Sequence, residues 1–285
     1  MWFCGKKETD EKTYIFLGHP YDWNDRARID PRLEKLPFER FNQIWLGGDV
    51  CSHTTESPKA LIYLDSLFHL SSPKIQWTLG NHDIMDGPAS LITAKTGRPS
   101  FYSTWIDGFC LVVLNTNLFW PYPNKPPQEN CEEKKAQQLL LEHITDTIQK
   151  ASHLVILHHH ALFTELKPAP ENDAFNVNAL GMQMTCDSGL LVTQWLYPRL
   201  VKVQKKGVQV VLIGGDVGMR SKSSAYQTAE GIWLLGSGIN NSVNRQYAPD
   251  YVTTFDPDKV LIIKRKEKAR SLNWVFVPLD SLAGN

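Results

Sequence analysis

Four stretches of this chain share one layout: an apolar run, a tight break, then side chains that bind cations. Ile44-Trp45-Leu46 leads into Gly47-Gly48-Asp49, and Trp77-Thr78-Leu79 leads into Gly80-Asn81-His82-Asp83. Leu154-Val155-Ile156-Leu157 runs into His158-His159-His160, and Val211-Leu212-Ile213 into Gly214-Gly215-Asp216. Carboxylate, amide and imidazole donors together suit Mn, Fe or Zn. Glycine lets the backbone turn sharply where a strand leaves its sheet. A single Gly-Asp pair is ordinary turn chemistry. Four such endings in one chain read as one site, because ligands of open α/β sheets bind beyond the carboxyl ends of the strands.

Short β-rich runs alternating with helical patterns must position these endings, which is the signature of an α/β layered domain. Strands are expected at Tyr14–Leu17, Gln43–Leu46, Ile75–Leu79, Cys110–Asn115, Leu154–His158 and Val208–Ile213. Further strands are expected at Gly231–Leu235, Val260–Lys264 and Leu272–Val277, the last two as an antiparallel hairpin. Helical spacing covers Pro58–Leu70, with Ser57 as N-cap, then Cys131–Lys150 and Leu191–Gln204. The stretch Thr164–Gly189 is a long polar connection, a type of loop that often serves as a functional lid. With no convincing linker, residues 1–285 read as one domain, the first twelve forming a possible flexible tail.

Composition narrows the function classes. Thirty basic residues balance thirty acidic ones, so the general electrostatic footprint of a nucleic-acid binder is missing. No apolar stretch reaches the roughly 18 residues of a membrane-spanning helix. Cys4, Cys51, Cys110, Cys131 and Cys186 are odd in number and lack Cys-x-x-Cys spacing, which favours free thiols in a reducing compartment. As it stands the chain reads as cytoplasmic. The alternative is an envelope lipoprotein anchored at Cys4, if the true start lies upstream of Met1-Trp2-Phe3-Cys4-Gly5.

The order of the motifs resembles the calcineurin-like metallophosphoesterase superfamily, from about Thr13 to Gly238. That family's pattern is DxH, GD, GNH(D/E), a histidine ending a strand, then GHxH. Gly48-Asp49 matches GD, and Gly80-Asn81-His82-Asp83 matches GNHD. The resemblance implies that Asp49 bridges metals, Asn81 ligates one, His82 contacts and protonates at the phosphoryl group, and Asp83 orients His82. Counting back from Leu162-Phe163 makes His159 the strand-end ligand, whereas counting from the strand makes it His158; His159 is the favoured choice.

Two motifs depart from the pattern. His19 and Tyr21 stand where DxH has its aspartate and histidine, and Asp216 and Gly218 stand at the two histidines of GHxH. One metal set, Asp49, Asn81, His159 and Asp216, stays complete with one exchange. The other is rebuilt, with His19 and Asp22 as an alternative pair, or lost. The resemblance therefore implies a four-layer αββα sandwich of two mixed β-sheets flanked by helices, holding one or two divalent ions. The implied activity is hydrolysis of a phosphate mono- or diester by a metal-activated water, on a small phosphate-ester substrate. The alternative is a catalytically impaired member that binds a ligand or protein through the old pocket. Arg220 is a further candidate for phosphate contact, and Asn115 and Asn117 are candidates for lining the site.

Overall fold

The computed structural model describes residues 11–119, 128–163, 166, 181–187, 189–216, 223–240, 242–247 and 256–284. Eleven strands among them form two mixed sheets. One sheet has the order β11-β10-β1-β2-β3, the other β4-β5-β6-β7-β9-β8. The first contains β1 (Glu11–Leu17), β2 (Gln43–Leu46), β3 (Ile75–Trp77), β10 (Lys259–Lys266) and β11 (Ser271–Pro278). The second contains β4 (Tyr102–Ile106), β5 (Phe109–Val113), β6 (His153–His158), β7 (Gln209–Gly214), β8 (Ser223–Gln227) and β9 (Trp233–Ser237). Strands β1, β2 and β3 run parallel, as do β5, β6, β7 and β9. Their carboxyl ends supply the motifs.

Three apolar layers explain the stacking. Tyr14, Phe16 and Trp45 of one sheet meet Leu111, Val155, Leu157, Val211 and Ile213 of the other between the sheets. Helix α1 (Pro58–Phe68) places Ala60, Leu61, Leu64 and Phe68 on one buried face against the five-stranded sheet, beside Ile92 of α2 (Ser90–Thr96). On the far side, Leu141 and Ile144 of α3 (Gln128–Thr147) and Leu196 and Leu200 of α4 (Val192–Lys205) cover the six-stranded sheet. A short α5 (Leu279–Ala283) closes the chain against the first helix layer through Leu279. The architecture is α/β in four layers, helices outside two mixed sheets, as the resemblance implies.

Every residue of β5 and β6 is buried because both faces are covered, so these strands read as continuous apolar runs. In β6 the pleat alternates cleanly: Leu154 and Ile156 join the helix-side core, Val155 and Leu157 the core between the sheets. The edge strands β4 and β8 were not anticipated. Both alternate small polar and partly exposed residues, such as Ser103 and Ser223, and lack an apolar run. Ser57, the expected cap of α1, makes no capping hydrogen bond, and Pro58 at the first turn starts the helix instead.

The cysteine expectation is corrected. Cys131 and Cys186 form a disulfide with their Cα atoms 6.0 Å apart, while Cys51 and Cys110 are buried thiols. A separation of 55 residues carries no local spacing signal. The partners meet because α3 and the stretch holding Met182 and Met184 pack on the same apolar layer. Most of the Thr164–Gly189 connection lies outside the described residues, as do Cys4, Gly218 and Arg220. No helix among the described residues is long and apolar enough to cross a membrane.

Candidate metal centre

The motif loops cross one another at a single edge of the sandwich. Gly47 donates its N–H to the Leu17 carbonyl (2.7 Å), His19 to Gly48 (3.3 Å) and Thr78 to Leu46 (3.0 Å). On the other sheet, Gly215 donates to His158 and Asp216 to His159, both at 3.1 Å. The crossing is tight enough to demand glycine at two points. Gly48 has φ +87°, and a Cβ there would sit 2.4 Å from the His159 ring; one on Gly80 would sit 2.1 Å from an Asp49 carboxylate oxygen.

Asp49 is the hub. Its carboxylate is buried, with Oδ2 lying 3.2 Å from His159 Nε2 and 3.4 Å from His19 Nε2. Its Oδ1 accepts the backbone N–H of His82 at 2.8 Å. Asp49 and His19 both hold φ 51°, a left-handed conformation that costs a non-glycine residue free energy and clusters at functional sites. Burial alone would raise the Asp49 pKa, but His159 and His19 hold it far below the usual carboxylate range. Burial alone would lower His159, yet Asp49 and Asp216 beside it push it up to about 9. His19 follows its burial, falling to about 3 despite the pull of Asp49.

His159 Nδ1 donates to the Gly47 carbonyl (2.8 Å), which leaves Nε2 directed at the carboxylate. The pleat of β6 thus decides between the two histidine candidates. His158 falls on the helix side, where it lines a small cavity with Leu162, Phe163 and Leu234, and its Nδ1 donates to the His160 carbonyl (2.8 Å). It is not at the centre. His160, whose ring burial drives well below the ordinary imidazole pKa, approaches Asn81 Oδ1 through Nε2 at 3.1 Å.

Asp83 has a different role from the one expected. Its fully buried carboxylate accepts five hydrogen bonds: from the N–H groups of Asp49, Val50 and Gly80 (2.9 Å each), from Thr54 Oγ1 (2.8 Å) and from Trp77 Nε1 (3.2 Å). It therefore clamps the Asp49 loop to the Gly80 loop. Burial and the Asp49 charge push its pKa up to about 6, against the pull of those donors. The ring of His82 is oriented by Ser52, whose carbonyl accepts from Nδ1 at 3.0 Å.

The first-motif side is packed differently. Tyr21 packs, tilted, against both His19 and His82, with ring centroids 4.4 and 5.6 Å away, and is 3% exposed. Asp22 Oδ1 accepts from the backbone and side-chain nitrogens of Asn24 (2.8 and 3.2 Å), so it closes its own turn and does not join His19 as a ligand pair. Asp216 is buried close enough to His159 to raise its pKa. His53 pairs with Asp86 (2.6 Å) and sits with its ring 6.4 Å from His82. Thr116 and Ser52 touch site histidines without any spacing signal that would have singled them out.

The donors suit a divalent cation in kind, and two of their separations suit one in spacing. Ligand atoms about 2.1 Å from one ion and 90–110° apart lie roughly 3.0–3.4 Å from each other. The Asp49–His159 and Asp49–His19 separations, 3.2 and 3.4 Å, fall there. His159 Nε2 faces the Asp49 carboxylate at 3.2 Å, while His19 Nδ1, the nitrogen that is not the one near Asp49, is buried without a hydrogen-bond partner. Among the described residues no group of three or more His, Cys, Asp or Glu is gathered to hold an ion by itself. Asp49, His159, Asp216 and His19 are of those types, so as they stand they do not form a closed ligand shell.

No family model and no curated relative matches the chain. Among solved structures it is similar to the crystal structure of phosphopantetheinyl hydrolase from Mycobacterium tuberculosis, with a TM-score of 0.45 and 14% identity over 85% of this chain and 95% of that one. A likeness this distant does not say which reaction this chain runs.

Proposed function

We propose that the chain is a hydrolase of phosphate mono- or diesters that works with a divalent cation, Mn, Fe or Zn, held by Asp49, Asn81, His159 and Asp216, with His19 at its edge. The observation that carries this reading is one buried carboxylate oxygen flanked by two imidazole nitrogens at 3.2 and 3.4 Å. When bound there, the cation supplies Lewis-acid polarisation of a phosphoryl oxygen and activation of water. His82, whose Nδ1–H is held by the Ser52 carbonyl, would act as the imidazolium, donating Nε2–H to the phosphoryl group and passing that proton to the leaving oxygen, which leaves the neutral ring protonated on Nδ1. Asp83 keeps Asp49 and Asn81 in mutual register through the N–H groups of both loops. The Cys131–Cys186 bond favours an oxidising compartment, and so the envelope alternative over the cytoplasm.

A second reading, a binding module that has lost catalysis, draws support from Tyr21. Its ring packs against His19 and His82 at the position where the resemblance implies a histidine ligand. Hydrolysis of 4-nitrophenyl phosphate and bis(4-nitrophenyl) phosphate, with metal analysis of the same preparation, separates the two. The hydrolase reading expects bound metal, and turnover that Asp49→Ala abolishes. Metal-free protein with no turnover in added Mn²⁺, Fe²⁺ or Zn²⁺ would leave the binding module.

A further inference from the structure

Directly after β5 the chain makes a turn that no catalytic role above uses. Asn115 is fastened to α3 by a reciprocal pair: its N–H donates to Gln137 Oε1 (2.7 Å), and Gln137 Nε2 donates to its carbonyl (3.1 Å). Both side chains are buried. Asn115 Oδ1 accepts from Asn117 N (3.2 Å) and Nδ2 (3.0 Å). Asn117 Nδ2 also donates to the carbonyls of Leu79 (3.1 Å) and Gly80 (3.3 Å), the two residues leading into Asn81. Between them, buried Thr116 accepts the His160 backbone N–H on Oγ1 (3.1 Å) and contacts His160 Nδ1 (2.8 Å). His160 Nε2 reaches Asn81 Oδ1 at 3.1 Å.

The hydrogen-bond directions follow from the chemistry of the groups. Thr116 Oγ1 has a second lone pair, but accepting from Nδ1 as well would leave its own buried O–H without an acceptor, whereas donating to Nδ1 satisfies both groups. A neutral ring that accepts on Nδ1 carries its proton on Nε2, and in the Asn81 amide only the oxygen can accept it. This order selects one flip of the Asn81 amide. Only Oδ1 can ligate a cation, and it has a second lone pair for one while it accepts from Nε2–H. The reverse flip would present two N–H donors to a positive charge.

We propose that Thr116 and His160 are a positioning pair that holds the Asn81 amide with its oxygen toward the cation, on a turn anchored to α3 by Gln137. The inference rests on the metal-centre reading and adds to it residues that touch no substrate. Without the Thr116 hydroxyl nothing holds Nδ1 as an acceptor, so both ring tautomers, and with them both flips of the Asn81 amide, become populated.

Mn²⁺ titration calorimetry on the full chain tests this with Asn81→Ala, Thr116→Val, Thr116→Ser and the Thr116→Val/Asn81→Ala double variant. Loss of a group that orients a metal ligand costs about 10–100-fold in affinity. Thr116→Val should weaken Mn²⁺ binding to that extent, Thr116→Ser should restore it to within about threefold, and the double variant should bind no worse than Asn81→Ala alone. Long-range ¹H–¹⁵N spectra of the His160 ring should show Nε2–H in the wild type and a mixture of the two tautomers in Thr116→Val. Wild-type affinity in Thr116→Val, with Asn81→Ala weakened, overturns the positioning pair and leaves the metal centre standing. So does a loss in Thr116→Val that simply adds to that of Asn81→Ala. Wild-type affinity in Asn81→Ala removes the metal ligand itself, and the inference falls with it.

Discussion

The two sides of the centre are built on different principles. On the side fed by β2, β3 and β6, each polar group is fixed by others: Asp83 by five donors, His159 by the Gly47 carbonyl, and Asn81 by His160. On the side fed by β1, rings fill the space: His19, Tyr21 and Trp23 pack in series at tilted angles, and Asp22 folds back onto Asn24. Fixed dipoles suit a concentrated charge because they need no reorganisation to receive it. Packed rings fill space. On the proposed reading a cation would sit on the first side, and rings would occupy the place where the resemblance puts the first motif's carboxylate.

The sharpest way to break this contrast is to remove the hub and then its ring-packed neighbour. Asp49→Ala should reduce kcat/KM for an aryl phosphate by roughly 10³-fold or more. His19→Ala should reduce it by less than about tenfold. Steady-state kinetics on the pair checks this, and equal losses would erase the distinction. Asp83→Ala strands buried donors and should lower stability by roughly 3–5 kcal/mol, read by urea denaturation. His82→Ala should lower kcat about 10²-fold while leaving Mn²⁺ affinity unchanged, which separates proton transfer from metal binding. Cys186→Ser should lower unfolding stability by about 2–4 kcal/mol and leave kcat near wild type, since the bond ties α3 to the 181–187 stretch and touches no proposed ligand.

A pH dependence arises outside the centre. His153 and His158 are buried, and burial holds both near a pKa of about 4 against an ordinary 6.5. Below pH 6.5 the unfolded chain therefore binds protons that the folded one refuses. Stability should fall as pH drops from about 6.5 to about 4, by roughly 1 kcal/mol per pH unit for each histidine. Thermal melts of His153→Gln should show a shallower fall over that window than the wild type.

Much of this was legible in the residues. Gly48-Asp49 follows β2, an interior parallel strand with an apolar run, and Gly80-Asn81-His82-Asp83 follows β3, the edge of that sheet, which is buried throughout although Gln76 interrupts its apolar residues. The choice of His159 over His158 was legible only once the pleat of β6 was known, because a one-residue shift sends a side chain to the opposite face. Edge strands β4 and β8 stayed hidden, since solvent on one side permits Ser and Thr where an apolar residue would signal. The role of Asp83 was hidden because its donors are mostly backbone N–H groups, which leave no mark in side-chain type. The Cys131–Cys186 pairing and the Thr116–His160 contact join segments far apart in sequence, and only packing brings them together.

Anomalous diffraction from crystals soaked in Mn²⁺, collected on both sides of the manganese edge, is the most direct measurement. A single strong peak bonded to Asp49 and His159 near Asn81 Oδ1, with no second peak at Tyr21, is the predicted result. Density showing the Asp49–His159 ion pair intact and no anomalous peak between them would contradict the account.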